Sequence, residues 1–139
     1  MKLEGHAGAV RALTFDPEGD FLASASTDGT VKIWNLTAKD PATQYKPVAS
    51  LAVLEKANVT TPLTSDWHPS GKFIAVPVRK SVYFFERDSW EKLADLGGLE
   101  GHELEVCLAV FSTNGEYLAS SRFSSPPPPP KKKKKKKKK

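Results

Sequence analysis

With 139 residues, 39% of them hydrophobic, the chain can bury one modest core and makes at most one domain. Its formal net charge of +5 resides in the tail: residues 131–139 are nine lysines, and taking nine from +5 leaves the rest at −4, so the foldable part offers no general electrostatic case for nucleic-acid binding. A single cysteine, Cys107, excludes an internal disulfide and a thiolate zinc cluster, and fits a reducing compartment.

The first informative stretch opens on Leu3-Glu4-Gly5-His6 and closes at Leu36. Residues 10–15 alternate, with Val10, Ala12 and Thr14 on one face and Arg11, Leu13 and Phe15 on the other, which predicts a strand. Asp16-Pro17-Glu18-Gly19 predicts a turn, because Pro17 presets its own φ and Gly19 can take a positive one. The small, mostly apolar run 21–26 suits a strand buried on both faces. Asp28-Gly29 is a strong hairpin signal, and 31–36 alternates again with β-branched and aromatic residues. This stretch therefore spells three antiparallel strands and two tight turns.

A surface turn is expected at 37–43, around Asp40-Pro41, and a fourth, outer strand at 47–54, where Pro47 takes the first position and its missing N–H does little harm. Residues 55–61 read as a polar loop. A degenerate copy follows: 65–75 aligns with 13–23 at an offset of 52, and Val82-Tyr83-Phe84-Phe85 with Val31-Lys32-Ile33-Trp34 at 51. Its strand pattern persists, while Arg79-Lys80 replaces the Asp-Gly turn and Phe85 replaces Trp34. Residues 90–96 predict another outer strand. Leu99-Glu100-Gly101-His102 renews the opening, and 106–111, a turn at Thr113-Asn114-Gly115 and 117–121 repeat the first two strands. Phe123-Ser124-Ser125 then leads into five prolines and nine lysines, which favour polyproline II and mutual repulsion over a sheet. Translation through an adenine-rich tract accounts for that ending better than a functional basic arm does.

The Gly-His near the start, the Asp28-Gly29 turn and the closing Trp34-Asn35, spaced around strand-like runs, resemble a WD repeat, a unit of roughly 40 to 45 residues that gives four strands to a propeller blade. Trp34-Asn35 in place of Trp-Asp is a mild departure. The resemblance implies an all-β WD40 β-propeller fragment of about two and a half blades of four-stranded antiparallel sheet. Its repeats fall at 3–36, 47–88 and a truncated 90–122 within a partial domain 1–122, followed by a disordered Pro/Lys tail at 123–139. Raw edges at both ends make the chain marginal and aggregation-prone alone. The same resemblance implies a structural tetrad from His6, Asp28, Trp34 and one of Ser24 or Ser26. A hydrolase triad from the same Ser, His and Asp is outweighed, because no nucleophile elbow accompanies them. No catalytic, cofactor or metal site is assigned: His6, His68 and His102 are widely separated, and His68, in a turn beside Pro69, reads as a surface residue. Trp67, Tyr83, Phe84, Phe85 and Trp90 are expected mostly in the core, which leaves Arg79, Lys80, Arg87 and Lys92 as a possible partner surface.

Phe15-Asp16-Pro17, the run 21–31, Ala75-Val76-Pro77-Val78 with Lys80-Ser81-Val82, and Arg87-Asp88-Ser89-Trp90 are similar to the amino-terminal propeller of the WD repeat and HMG-box DNA-binding proteins, over roughly residues 3–122. That resemblance implies a nuclear, non-enzymatic scaffold linking the replicative helicase to DNA polymerase α in replication and cohesion. Its implied partners are replisome or chromatin proteins, with DNA reached only indirectly or through the lysine tail, and with no small-molecule substrate, cofactor or membrane. Residues 1–6 lack the apolar run of a secretory signal, and no run reaches a membrane span. The alternatives are a generic WD40 adaptor of a ubiquitin ligase or chromatin complex, and nucleic-acid binding through the basic tail.

Overall fold

Short apolar runs separated by glycine turns leave backbone donors and acceptors that only a neighbouring strand can satisfy, and the chain pairs accordingly. A computed structural model describes residues 2–40, 43–52, 64–78, 80–93 and 106–122. The first sheet holds β1 (Val10–Phe15), β2 (Phe21–Ser26), β3 (Thr30–Asn35) and β4 (Pro47–Ala52) in chain order. The second holds β5 (Asp66–Trp67), β6 (Phe73–Val78) and β7 (Ser81–Glu86), and the third β8 (Val106–Phe111) and β9 (Leu118–Arg122). Every pairing within a sheet is antiparallel. The turn before the second strand of each sheet places a glycine with positive φ at an equivalent position: Gly19 at 79°, Gly71 at 71° and Gly115 at 75°. That left-handed geometry has little steric cost only without a Cβ.

The sheets stack through two cores. Phe21, Ala23 and Ala25 of β2, with Val31, Ile33 and Leu51, face Trp67, Ile74, Val76 and Val78 of the second sheet. On the other side of that sheet, Ala75, Val82 and Phe84 meet Val106 and Ala109. Period-2 alternation therefore sends neighbouring residues of β6 into different cores, which is why this strand is an unbroken apolar run. β2 is likewise buried at all six positions. β5 pairs with β6 only at Asp66↔Ala75 and Trp67↔Ile74, and the ladder stops short of Pro77, which has no N–H to offer. Thr64 instead stitches the second sheet to the third: its N–H donates to the Cys107 carbonyl at 2.9 Å, and its carbonyl accepts from Ala109 N–H at 3.1 Å.

The strand expected at 47–54 closes the first sheet as far as Ala52, so the repeat read as 47–88 and the sheet it builds are out of phase by one strand. The outer strand expected at 90–96 is reduced, within its described residues 90–93, to a bridge between Phe85 and Lys92. Two backbone bonds flank it, Glu86 N–H to the Glu91 carbonyl and Leu93 N–H to the Phe84 carbonyl. Arg79, His102, the loop 55–61 and the tail 123–139 lie outside the described residues. Among the described residues no helix is long and apolar enough to cross a membrane.

Candidate functional site

His6, just ahead of β1, reaches across two strands because the β2–β3 hairpin folds Asp28 back beside it and β3 brings Trp34 under β2. Trp34 Nε1–H donates to Ser24 Oγ at 2.7 Å, and Ser24 Oγ lies 2.7 Å from His6 Nε2. His6 Nδ1 is 2.9 Å from Asp28 Oδ2. Indole is donor-only and a carboxylate is acceptor-only, so Trp34 donates to Ser24 and His6 Nδ1–H donates to Asp28, while the direction of the Ser24–His6 Nε2 bond follows the protonation of the ring. Asp28 also accepts from Ala7 N–H at 2.9 Å, Thr30 N–H at 2.9 Å and Thr30 Oγ1–H at 2.7 Å. Burial pushes this carboxyl's pKa up, but the Thr30 hydroxyl, His6 and the two backbone N–H groups together outweigh it and hold the pKa well below the usual carboxylate range.

The geometry separates the two candidate serines. Ser24 joins the tetrad, whereas Ser26 Oγ accepts from Asp28 N–H at 3.2 Å and braces the hairpin turn. Ser24, His6 and Asp28 stand in the order of a hydrolase triad. However, Ser24 is 3% exposed, and its oxygen is already an acceptor for the Trp34 indole, so a lone pair needed for attack is engaged. Gly8 passes so close to the Thr27–Asp28 backbone that an added Cβ would lie 2.8 Å from Asp28 N, which pins the segment carrying His6 against the turn.

Of the four cations expected as one surface, the three among the described residues are not brought together. Arg79 lies outside the described residues. Lys80 is exposed before β7 and Arg87 follows it, about 20 Å away along a six-residue strand. Arg87 is turned inward, against the acidic turn of the first sheet: its guanidinium pairs with Asp16 Oδ2 at 3.2 Å, Glu18 Oε2 at 2.9 Å and Asp20 Oδ2 at 3.5 Å, and lies 5.0 Å from the Phe21 ring centroid. Lys92 Nζ sits 3.5 Å from the Tyr83 ring centroid. Phe21, Trp67 and Trp90 cluster beside Arg87 with centroids 5.3 to 6.5 Å apart. Trp90 holds a positive φ of 57°, an uncommon backbone for a bulky residue. Three carboxylates within five residues, Asp16, Glu18 and Asp20, were the sequence signal for a cationic partner.

His68, read as a surface residue from its turn, is half-buried. Its ring stacks on Phe73 at 4.5 Å and meets Phe111 edge-on at 5.1 Å. Its Nδ1 accepts from Ser70 N–H at 3.0 Å, and its Nε2 lies 3.2 Å from the Gly115 carbonyl. Asp66, two residues earlier, accepts from Phe111 N–H at 2.8 Å, so both residues fasten the third sheet to the second. Among the described residues no three His, Cys, Asp or Glu side chains gather as a metal-ligand group.

Residues 1–35 and 94–125 match the family model for the WD domain, G-beta repeat. The chain is 37% identical over 121 residues to WD repeat and HMG-box DNA-binding protein 1 of Mus musculus, covering 84% of this chain and 10% of that protein. The Homo sapiens protein of the same name is 36% identical over 122 residues, with the same coverage. Protein HIR1 of Phaeosphaeria nodorum is 32% identical over 125 residues, covering 79% of this chain and 12% of its own. Among solved structures, the RRP9 WD40 repeats give a TM-score of 0.67 at 19% identity, covering 85% of this chain and 34% of theirs, a likeness of fold. The chain thus spans 10% to 12% of the length of these sequence relatives.

Proposed function

We propose, from the premise that the chain belongs to the WD40 repeat family, that it is a non-enzymatic scaffold segment for protein–protein interaction, of the kind that links helicase and DNA polymerase α at a nuclear replication fork and supports cohesion. One observation carries the reading. The family model leaves 36–93 unmatched, yet similarity to the WD repeat and HMG-box protein runs over 84% of the chain and so includes most of this degenerate unit. The buried tetrad supports a structural use of its polar groups, because an unpaired one would cost about 1–3 kcal/mol. Replisome or chromatin proteins are then the partners, with no cofactor or small-molecule substrate. Affinity capture with this chain from S-phase nuclear extract should retain DNA polymerase α or a replicative helicase subunit on specific immunoblots, equally well with residues 131–139 removed. Retention of neither would overturn the reading. The match to Protein HIR1 favours a second one, a WD40 adaptor of another chromatin assembly, because similarity in these residues is not confined to the HMG-box proteins.

A further inference from the structure

The first strand of the second sheet lies between the first sheet and the third, and alternation divides residues 64–68 between them. Thr64, Asp66 and His68 all bond to the third sheet. Thr64 does so through its own N–H and carbonyl, to Cys107 and Ala109 at 2.9 and 3.1 Å. Asp66 Oδ2 accepts from Phe111 N–H at 2.8 Å, and His68 Nε2 lies 3.2 Å from the Gly115 carbonyl. The intervening Ser65 and Trp67 face the first sheet, and there Ser65 Oγ and Trp67 Nε1 are buried without a hydrogen-bond partner. The gap that Ser65 lines has no room for a water molecule. A third such atom, Asp16 Oδ2, stands at the same interface and meets the Arg87 guanidinium only as an ion pair at 3.2 Å.

The two sides of the second sheet are therefore held differently. Among the described residues no backbone hydrogen bond crosses from the first sheet to the second, and the polar link is Arg87 on Asp16, Glu18 and Asp20. The residue equivalent to Asp66 in the first sheet is Thr14, which has no carboxylate to offer Trp67 N–H; that donor turns instead to Asp66 Oδ1 of its own sheet, at 3.0 Å. Opening the first interface returns water to three buried polar atoms, whereas opening the second breaks directional bonds. The aromatic contact of Phe21 with Trp67 and Trp90 opposes opening at the first interface, but Phe73 on Phe111 supplies a contact of the same kind at the second.

We propose that the interface between the first and second sheets is an opening point built into the fold: it opens locally in the folded chain while the interface between the second and third stays closed, and Arg87 is its latch. Both interfaces are interior to the chain. Local opening draws on the contacts with the fewest hydrogen bonds, and here the polar groups on one face of a single sheet are bonded across while those on the other are not.

Val76 and Val82 report the two interfaces from the same sheet: both are 0% exposed, Val76 in the core shared with the first sheet and Val82 in the core shared with the third. In the full chain carrying Cys107→Ser, which keeps the carbonyl that Thr64 uses, Val76→Cys and Val82→Cys each place one thiol without overfilling its core. N-ethylmaleimide in native buffer should label Val76→Cys at least about tenfold faster than Val82→Cys, and adding Arg87→Met should widen that ratio. Equal rates, the reverse order, or a ratio that Arg87→Met leaves unchanged would overturn the proposal. Should a cysteine variant fail to fold, hydrogen exchange on the parent chain makes the same comparison. The Trp67 indole N–H should be less protected than the Phe111 amide, and equal or greater protection would overturn the proposal as well.

Discussion

Asp28 receives four hydrogen bonds on one carboxylate, and they hold its charged form in the folded chain against the opposing effect of burial. Because folding lowers this pKa, the stability it contributes is fully present above the unfolded value of 3.8 and is lost as pH falls from there toward the folded value. Urea denaturation from neutral pH down to about pH 3 should therefore show a loss in the parent chain that Asp28→Asn does not share, so the gap between the two narrows as the pH drops. A constant gap would assign the acid sensitivity to other groups. His6, Asp28 and Trp34 were expected together from the resemblance to a WD repeat. The choice between Ser24 and Ser26 was not legible, because residues two apart on a strand share a face and both are 3% exposed. The 2.7 Å contacts of Ser24 Oγ with the Trp34 indole and with His6 Nε2 distinguish them.

Between elements, Arg87 is the main polar link from the second sheet to the first. Asp16, whose side chain is fully buried, has Oδ1 bonded to Phe21 N–H and depends on the guanidinium for Oδ2. Removing the cation strands a buried charge, so Arg87→Met should cost about 2–3 kcal/mol in chemical denaturation, and adding Asp16→Asn should recover part of it. Additive losses would instead show the two side chains to be uncoupled. The strands and turns at these positions were readable from periodicity and from glycine placement. Their partnership was not, since Arg87 lies 67 residues from Asp20 in sequence. Short-range patterns encode which residues turn inward from a strand, but not which sheet they then meet. For the same reason His68 read as a surface turn residue, although its ring fills the gap between Phe73 and Phe111.

For the molecule as a whole, charge and fold belong to different segments. The nine terminal lysines should bind duplex DNA by counterion release, with a slope of log affinity against log salt no steeper than about −8. Fluorescence anisotropy should show that deleting 131–139 abolishes this binding, because the remainder carries −4. Binding that survives deletion would have to lie on the sheets.

By itself the sequence determined the all-β class, most strand and turn positions and the repeat, because each follows from local alternation and fixed spacing, while the tetrad was expected, up to one serine, from the family resemblance. Tertiary structure alone decided that Arg87 meets an acidic turn of the first sheet and that neighbouring residues of β6 enter different cores. Those outcomes depend on which faces meet, and the burial that selects the faces is created only when the sheets stack.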